Sequence, residues 1–275
     1  SYLFENQSHD GIWGDGGPQS FWEFPVAFAA VTGTMPDLEE LKEEAEDDGL
    51  YFAASGQQGW HLILSTTTVR AYKVSAKQCY DGENSWKGDS GSYWPKNSSF
   101  CYDIRTEAFQ NSFPLPENGI IFVLDHLWVN GVVGPSVTIA AGILPASSST
   151  YKDIIIPSNL TYDNAGSSST IGIVAQRNVL VSYNAPNAMT IHGALVAENG
   201  VISRPPYRAN TKASLALLGA QVSLQELDWE YQNGFGNIVS GFLTVSMNFD
   251  PDVGTFVPIG FPGSGEYAMT GWEEL

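Results

Sequence analysis

Residues 170–202 read TIGIVAQRNVLVSYNAPNAMTIHGALVAENGVI. The apolar runs here are short, and none is long enough for a helix. Ile171, Ile173 and Ala175 alternate with smaller residues, and Val179 with Val181 and Met189 with Ile191 repeat the pattern. Between the runs stand Gln176-Arg177-Asn178, Asn184-Ala185-Pro186-Asn187 and Glu198-Asn199-Gly200. Period-2 runs of β-branched residues separated by turn chemistry are strands. Asn and Gly accept the positive φ of tight corners, and Pro is excluded from a central ladder.

The pattern extends both ways. Upstream lie Ile120 to Leu124, Leu127 to Val129, Val137 to Ala141 and Ile154 to Ile156; downstream lie Leu215 to Leu218 and Ile238 to Val245. Asn118-Gly119, Asn130-Gly131 and Asn199-Gly200 each precede an apolar pair or run. No helical period separates them, which argues against a βαβ sheet. Two mostly β architectures remain: a parallel β-helix-like solenoid, or an antiparallel β-sandwich. Runs that are apolar at consecutive positions, with the small residues Ala140, Ala141, Ala175, Ala194 and Ala197 among them, favour the solenoid.

From Pro116 to Leu275 the chain resembles the solenoid region of large bacterial pilin-like proteins, the PilX-like and ComZ-like proteins associated with type IV pili. The similarity runs through Asn118-Gly119-Ile120-Ile121, Val129-Asn130-Gly131-Val132, residues 137–141, 154–156 and 171–179, Tyr183-Asn184-Ala185-Pro186 and residues 191–200. It continues in Phe249-Asp250-Pro251, Phe261-Pro262 and Trp272-Glu273-Glu274-Leu275. The resemblance implies a minor-pilin-like surface protein of a bacterium, acting in adhesion, filament-tip assembly or DNA uptake. In proteins of that kind the solenoid is grafted onto a pilin stem whose N-terminal apolar helix builds the filament. Its partners would be other pilin subunits or a surface glycan.

The chain has 275 residues with 12 Lys and Arg against 30 Asp and Glu, a formal charge of −18. That charge disfavours DNA and anionic membranes as non-specific partners. No apolar run approaches a membrane span, so no membrane contact is expected from the chain itself. The expected layout is an N-terminal β region over 1–115, a solenoid core over 116–247 and an extended tail over 248–275. The one expected helix spans 37–48, with Asp37 as N-cap or Pro36 opening the first turn, and Leu38, Leu41 and Ala45 on one face. Its acidic residues read as a solvated face.

Cys79 and Cys101 flank a stretch rich in Gly, Ser and aromatics. A lone pair allows buried thiols or one disulfide; closing an exposed loop favours the disulfide. Within that loop Trp86, Tyr93 and Trp94 are candidate contact residues, as are Trp229 and Tyr231 in a second aromatic segment; the alternative is that these aromatics pack their loops onto the body. Asp81, Glu83 and Asp89 are weak calcium candidates, and no other cofactor is expected. Residues 203–212 (SRPPYRANTK) read as an outward excursion carrying Arg204, Arg208 and Lys212. Gly88-Asp89-Ser90-Gly91 resembles a protease nucleophile motif but lacks the surrounding signature. The four histidines are scattered and read as structural. The chain is therefore expected to be a non-enzymatic extracellular domain. The alternative is a polysaccharide-active β-helix enzyme using carboxylates such as Asp250 and Asp252 with Arg177, Arg204 or Arg208 as the base.

Overall fold

The structure is a computed structural model that describes residues 36–82, 87–88, 98–163, 169–225, 227–250 and 257–261. These lie in one unit that begins at Met35. Among the described residues the chain is mostly β, with one helix, and its largest feature is an extensive set of parallel pairings.

The first elements are α1 (Leu38–Asp47), β1 (Leu50–Phe52), β2 (Gly59–Leu64), β3 (Thr68–Asp81), β4 (Lys87–Gly88) and β5 (Ser99–Pro114). After Pro116 come β6 (Ile120–Val123), β7 (Leu127–Val133), β8 (Val137–Ala141), β9 (Ile154–Ile156), β10 (Leu160–Tyr162) and β11 (Ile171–Ala175). The last are β12 (Val179–Val181), β13 (Ala188–Ala197), β14 (Ile202–Ser203), β15 (Thr211–Ser223), β16 (Glu230–Gln232) and β17 (Ile238–Asn248).

One parallel ladder joins β1, β6, β8, β11, β13, β15 and β17. Its register aligns Ile121, Ile139, Ile173 and Leu195 in one row, and Phe122, Ala140, Val174 and Val196 in the next. A second set joins β2, β7, β10 and β13, and a third joins β7, β9, β12 and β14. In the third, Leu127, Ile154, Val179 and Ile202 stack. The pairing after Pro116 is thus mainly parallel rather than the alternative antiparallel sandwich; β16 runs antiparallel to β17 and to β4, and Tyr207 bridges Gly82 antiparallel.

The consecutive apolar positions now have a cause. Ile121, Ile139, Ile173 and Leu195 face the main core, whereas Phe122, Ala140, Val174 and Val196 face the other way. That second face is covered by Leu38, Leu41 and Ala45 of α1 and by Ile259 and Phe261. A strand buried on both faces cannot show polar alternation. The helix is set by Asp37, whose carboxylate accepts the Glu39 N–H at 2.8 Å; the N-cap is Asp37, not Pro36. Its glutamates point to solvent while its apolar stripe seals the sheet.

Backbones approach closely where β13 meets β15. Gly193 (φ 130°) pairs with Gly219 (φ 147°), and a Cβ on Gly219 would lie 2.0 Å from the Gly193 carbonyl oxygen. Only glycine fits there.

Candidate functional site

β3 and β5 form a long antiparallel hairpin, with β2 pairing antiparallel on the far side of β3. The chain from Ser99 to Pro114 is the return strand of this hairpin. Cys79 and Cys101 are joined by a disulfide and lie inside the paired strands, not at the ends of a free loop. Val69, Ala71 and Val74 anchor β3 in the core. Residues 105–112 of β5 are all exposed, and among the described residues β5 pairs only with β3.

The hairpin is held to the body at its base. Buried Asp103 accepts the N–H groups of Tyr183 and Asn184 at 2.8 and 2.9 Å. Burial raises the Asp103 carboxyl, and these hydrogen bonds only partly offset the rise. The Tyr80 ring stacks on Tyr183 with centroids 3.7 Å apart, and Asn184 Nδ2 donates to the Tyr80 hydroxyl at 3.0 Å. Trp128 Nε1 donates to the Tyr102 carbonyl at 2.6 Å. An edge strand fixed by buried groups presents its side chains at low ordering cost.

The outward face of this hairpin arm carries the candidate site. Register places His61 opposite Tyr72 and Tyr72 opposite Phe109, giving a ring row across β2, β3 and β5. Successive centroids lie 5.8 and 5.4 Å apart. Arg70 lies over the Tyr72 ring at 5.4 Å and over Phe109 at 5.9 Å. His61 sits between Glu107 Oε2 and Asn130 Oδ1, each at 2.7 Å. Phe109 is 53% exposed. The face thus offers an apolar ring, a guanidinium, a carboxylate and an amide side by side. That mixture suits a ligand with both apolar and polar faces.

A second polar cluster lies where successive levels turn a corner. Asp153, buried, accepts from Arg177 Nε at 2.7 Å, from Arg177 Nη2 and from Asn178 Nδ2 at 2.9 Å. Asn178 Oδ1 in turn accepts the Val201 N–H at 3.0 Å. Asp125 accepts from Ser55 Oγ at 2.6 Å and lies 3.4 Å from Lys152 Nζ. His126 Nδ1 accepts the Asp153 N–H at 3.1 Å, and burial pushes this histidine down to about 4. It is therefore a neutral acceptor, and the corner is a backbone-satisfying ladder. Arg177 is committed to Asp153.

The other expected positions divide as follows. Trp229 (1% exposed) and Tyr231 (0%) are core residues, which corrects their reading as surface contacts. Trp229 belongs to the main core, while Phe235 in the same segment is exposed. The SRPPYRANTK excursion is also corrected. Residues 203–207 are buried, and Arg204 lies wholly inside, over the Tyr207 and Phe242 rings at 5.0 and 5.7 Å. It donates to the Asn210 carbonyl at 3.0 Å and to Asn210 Oδ1. Burial lowers it to about 10, still a cation at neutral pH. Arg204, Arg208 and Lys212 therefore form no exposed basic patch. Trp86, Tyr93, Trp94, Glu83, Ser90 and Asp89 lie outside the described residues, as does Asp252; Asp81 is exposed. Among the described residues no three His, Cys, Asp or Glu side chains are grouped to hold a metal, and no helix is long and apolar enough to cross a membrane.

The reading of the sequence passed over Arg70, Tyr72 and Phe109. Arg70 and Tyr72 alternate with buried Val69 and Ala71, a legible signal. Phe109 could be aligned with them only through the irregular hairpin register.

No protein-family model, no curated protein and no solved structure matches this chain.

Proposed function

We propose that the parallel rows make a β-solenoid, and that the chain is a non-enzymatic surface domain of the pilus-associated kind its sequence resembles. It works outside a bacterial cell, with adhesion or a filament contact ranking above DNA uptake. The observation that carries this reading is the rigid arm. A disulfide-joined hairpin, clamped by Asp103 and the Tyr80–Tyr183 stack, presents exposed residues 105–112 along its edge strand. Disulfides persist in oxidising compartments, in keeping with work outside the cytoplasm. Rigid scaffolds that display projecting segments are favoured for recognition.

The test is attachment. Beads coated with the chain are expected to adhere to bacterial surfaces, and beads coated with chain whose residues 105–112 are replaced by a Gly/Ser run of equal length are expected to adhere less. Equal adhesion by both, or release of cleaved product from an acidic polysaccharide, would overturn the reading, the second outcome in favour of an enzyme.

A further inference from the structure

The stretch of sequence that contains the arm differs in charge from the rest of the chain. Residues 68–114 hold 6 of the 12 Lys and Arg and only 5 of the 30 Asp and Glu. The remainder holds 6 basic residues against 25 acidic ones. In a molecule so acidic, exposed cations are expected to find carboxylates. Lys42 pairs with Glu46, Lys152 with Asp125 and Arg177 with Asp153. In the hairpin Arg70, like Lys73, Lys77 and Arg105, has no carboxylate partner among the described residues; Arg70 is exposed and rests on two aromatic rings. Stacking there orients the guanidinium while leaving its hydrogen-bonding edge uncommitted. Beside it, Phe109 exposes over half its surface in mid-strand, where packing on the core cannot be its purpose.

We propose that this outward face is a binding site for an acidic polysaccharide. A pyranose ring lies against Phe109 and Tyr72, and its carboxylate is held by Arg70. Glu107 and Asn130, which flank His61, accept from and donate to the sugar hydroxyls. The inference rests on the surface-domain reading above and names its ligand class. A sugar ring has an apolar face for the aromatic side chains and hydroxyls for the polar ones. A uronic acid adds the one negative charge that Arg70 can match. A nucleic acid fits less well: each phosphate needs a cation, residues 68–114 have an excess of only one positive charge, and Glu107 stands within the face.

The experiment titrates the whole chain with polygalacturonate, with dextran as the neutral polymer and with single-stranded DNA, at low ionic strength and with a chelator present. Polygalacturonate is expected to bind and dextran not to. Arg70→Gln and Phe109→Ser are each expected to weaken that binding about tenfold, the size of a modest hot-spot loss. Both residues are exposed, so the melting temperature should not move; Arg208→Gln, an exposed cation outside the arm, should bind like the parent. The proposal is overturned if polygalacturonate does not bind, if both variants bind undiminished, or if DNA binds more tightly. It is also overturned if Arg70 and Phe109 prove to mediate only self-association in sedimentation. Bead attachment to cells, measured in parallel, separates two failures. Attachment without polygalacturonate binding removes the ligand class alone, whereas loss of both removes the surface-domain reading as well.

Discussion

The parallel body and the β3–β5 arm are both built from strands, yet they solve opposite problems. In the body, β6, β8, β9, β11 and β12 are buried on both faces, and their side chains stack on like neighbours one level above and below. In the arm, β5 begins with buried Phe100 and Asp103 and then exposes eight residues in succession. The body draws its stability from rows, whereas the arm draws its order from a covalent tie and a clamp at its root. The lesson is that strand content alone says little. What differs is how many faces are covered, and therefore which substitutions are felt.

The sharpest way to break the comparison is a cavity in a row. Ile173→Ala removes buried methyl groups between Ile139 and Leu195. It is expected to cost about 2–5 kcal/mol in urea unfolding; a loss of only a few tenths would mean the rows are not a tightly packed core. Next in size is the tie. By loop entropy, a bridge with sequence separation 22 is worth about 3 kcal/mol. Removing it as Cys79→Ser with Cys101→Ser should therefore raise hydrogen exchange in β3 around 77–81 and in β5 around 99–104, while β8, β11 and β12 keep their protection. Uniform loss across all strands would show that arm and body unfold as one.

The body was the more legible half, for a physical reason. Rows of Ile, Val and Ala follow from local periodicity, so strand positions such as 120–123, 137–141 and 171–175 could be read from neighbours in sequence. The helix was equally plain, because Asp37 and the Leu38–Leu41–Ala45 stripe are local signals. The arm was not, because its register has several irregularities and its partners are remote: Tyr72 meets Phe109, and Asp103 meets Tyr183. Arg204 misled for a related cause. Two prolines and a charge look like a surface loop, and only the tertiary structure supplies Asn210, Tyr207 and Phe242 to receive a buried guanidinium. Trp229 and Tyr231 misled in the same way, since aromatic residues beside turns serve a core as readily as a surface.

Acid offers a subtler probe of the body. Burial, with Asp37 adding to it, raises Glu198 from the ordinary value to about 7. A carboxyl raised on folding binds its proton more readily in the folded state, so stability increases as pH falls from about 7 toward the ordinary carboxylate range. His126 works the other way. Its folded value is about 4, so stability is lost as pH falls from the ordinary histidine value toward 4. The two oppose each other in the mildly acid range. Glu198→Gln should remove the gain, so that the variant is more stable than the parent above pH 7 and loses stability more steeply on acidification. Parallel melting-temperature curves for variant and parent between pH 8 and 5 would refute that assignment.

The smallest effect belongs to the arm's outward face. Phe109→Ser should change unfolding free energy by no more than about 0.5 kcal/mol, as expected of an exposed side chain outside a core. A loss of several times that would mean that the ring row braces the hairpin and would blur the distinction between the two regions.

The row partners Ile121, Ile139, Ile173 and Leu195 stand at unequal distances along the chain. Each level closes whatever length of chain lies between its strands, and a longer excursion adds little closure entropy, about 0.6 kcal/mol per doubling. The scaffold therefore behaves as a rack with fixed shelves and free overhang. The exposed segment 146–150 could be lengthened, exchanged or diversified without disturbing the shelf above or below. Such an architecture lets a lineage change what it displays far faster than it changes what holds the display up.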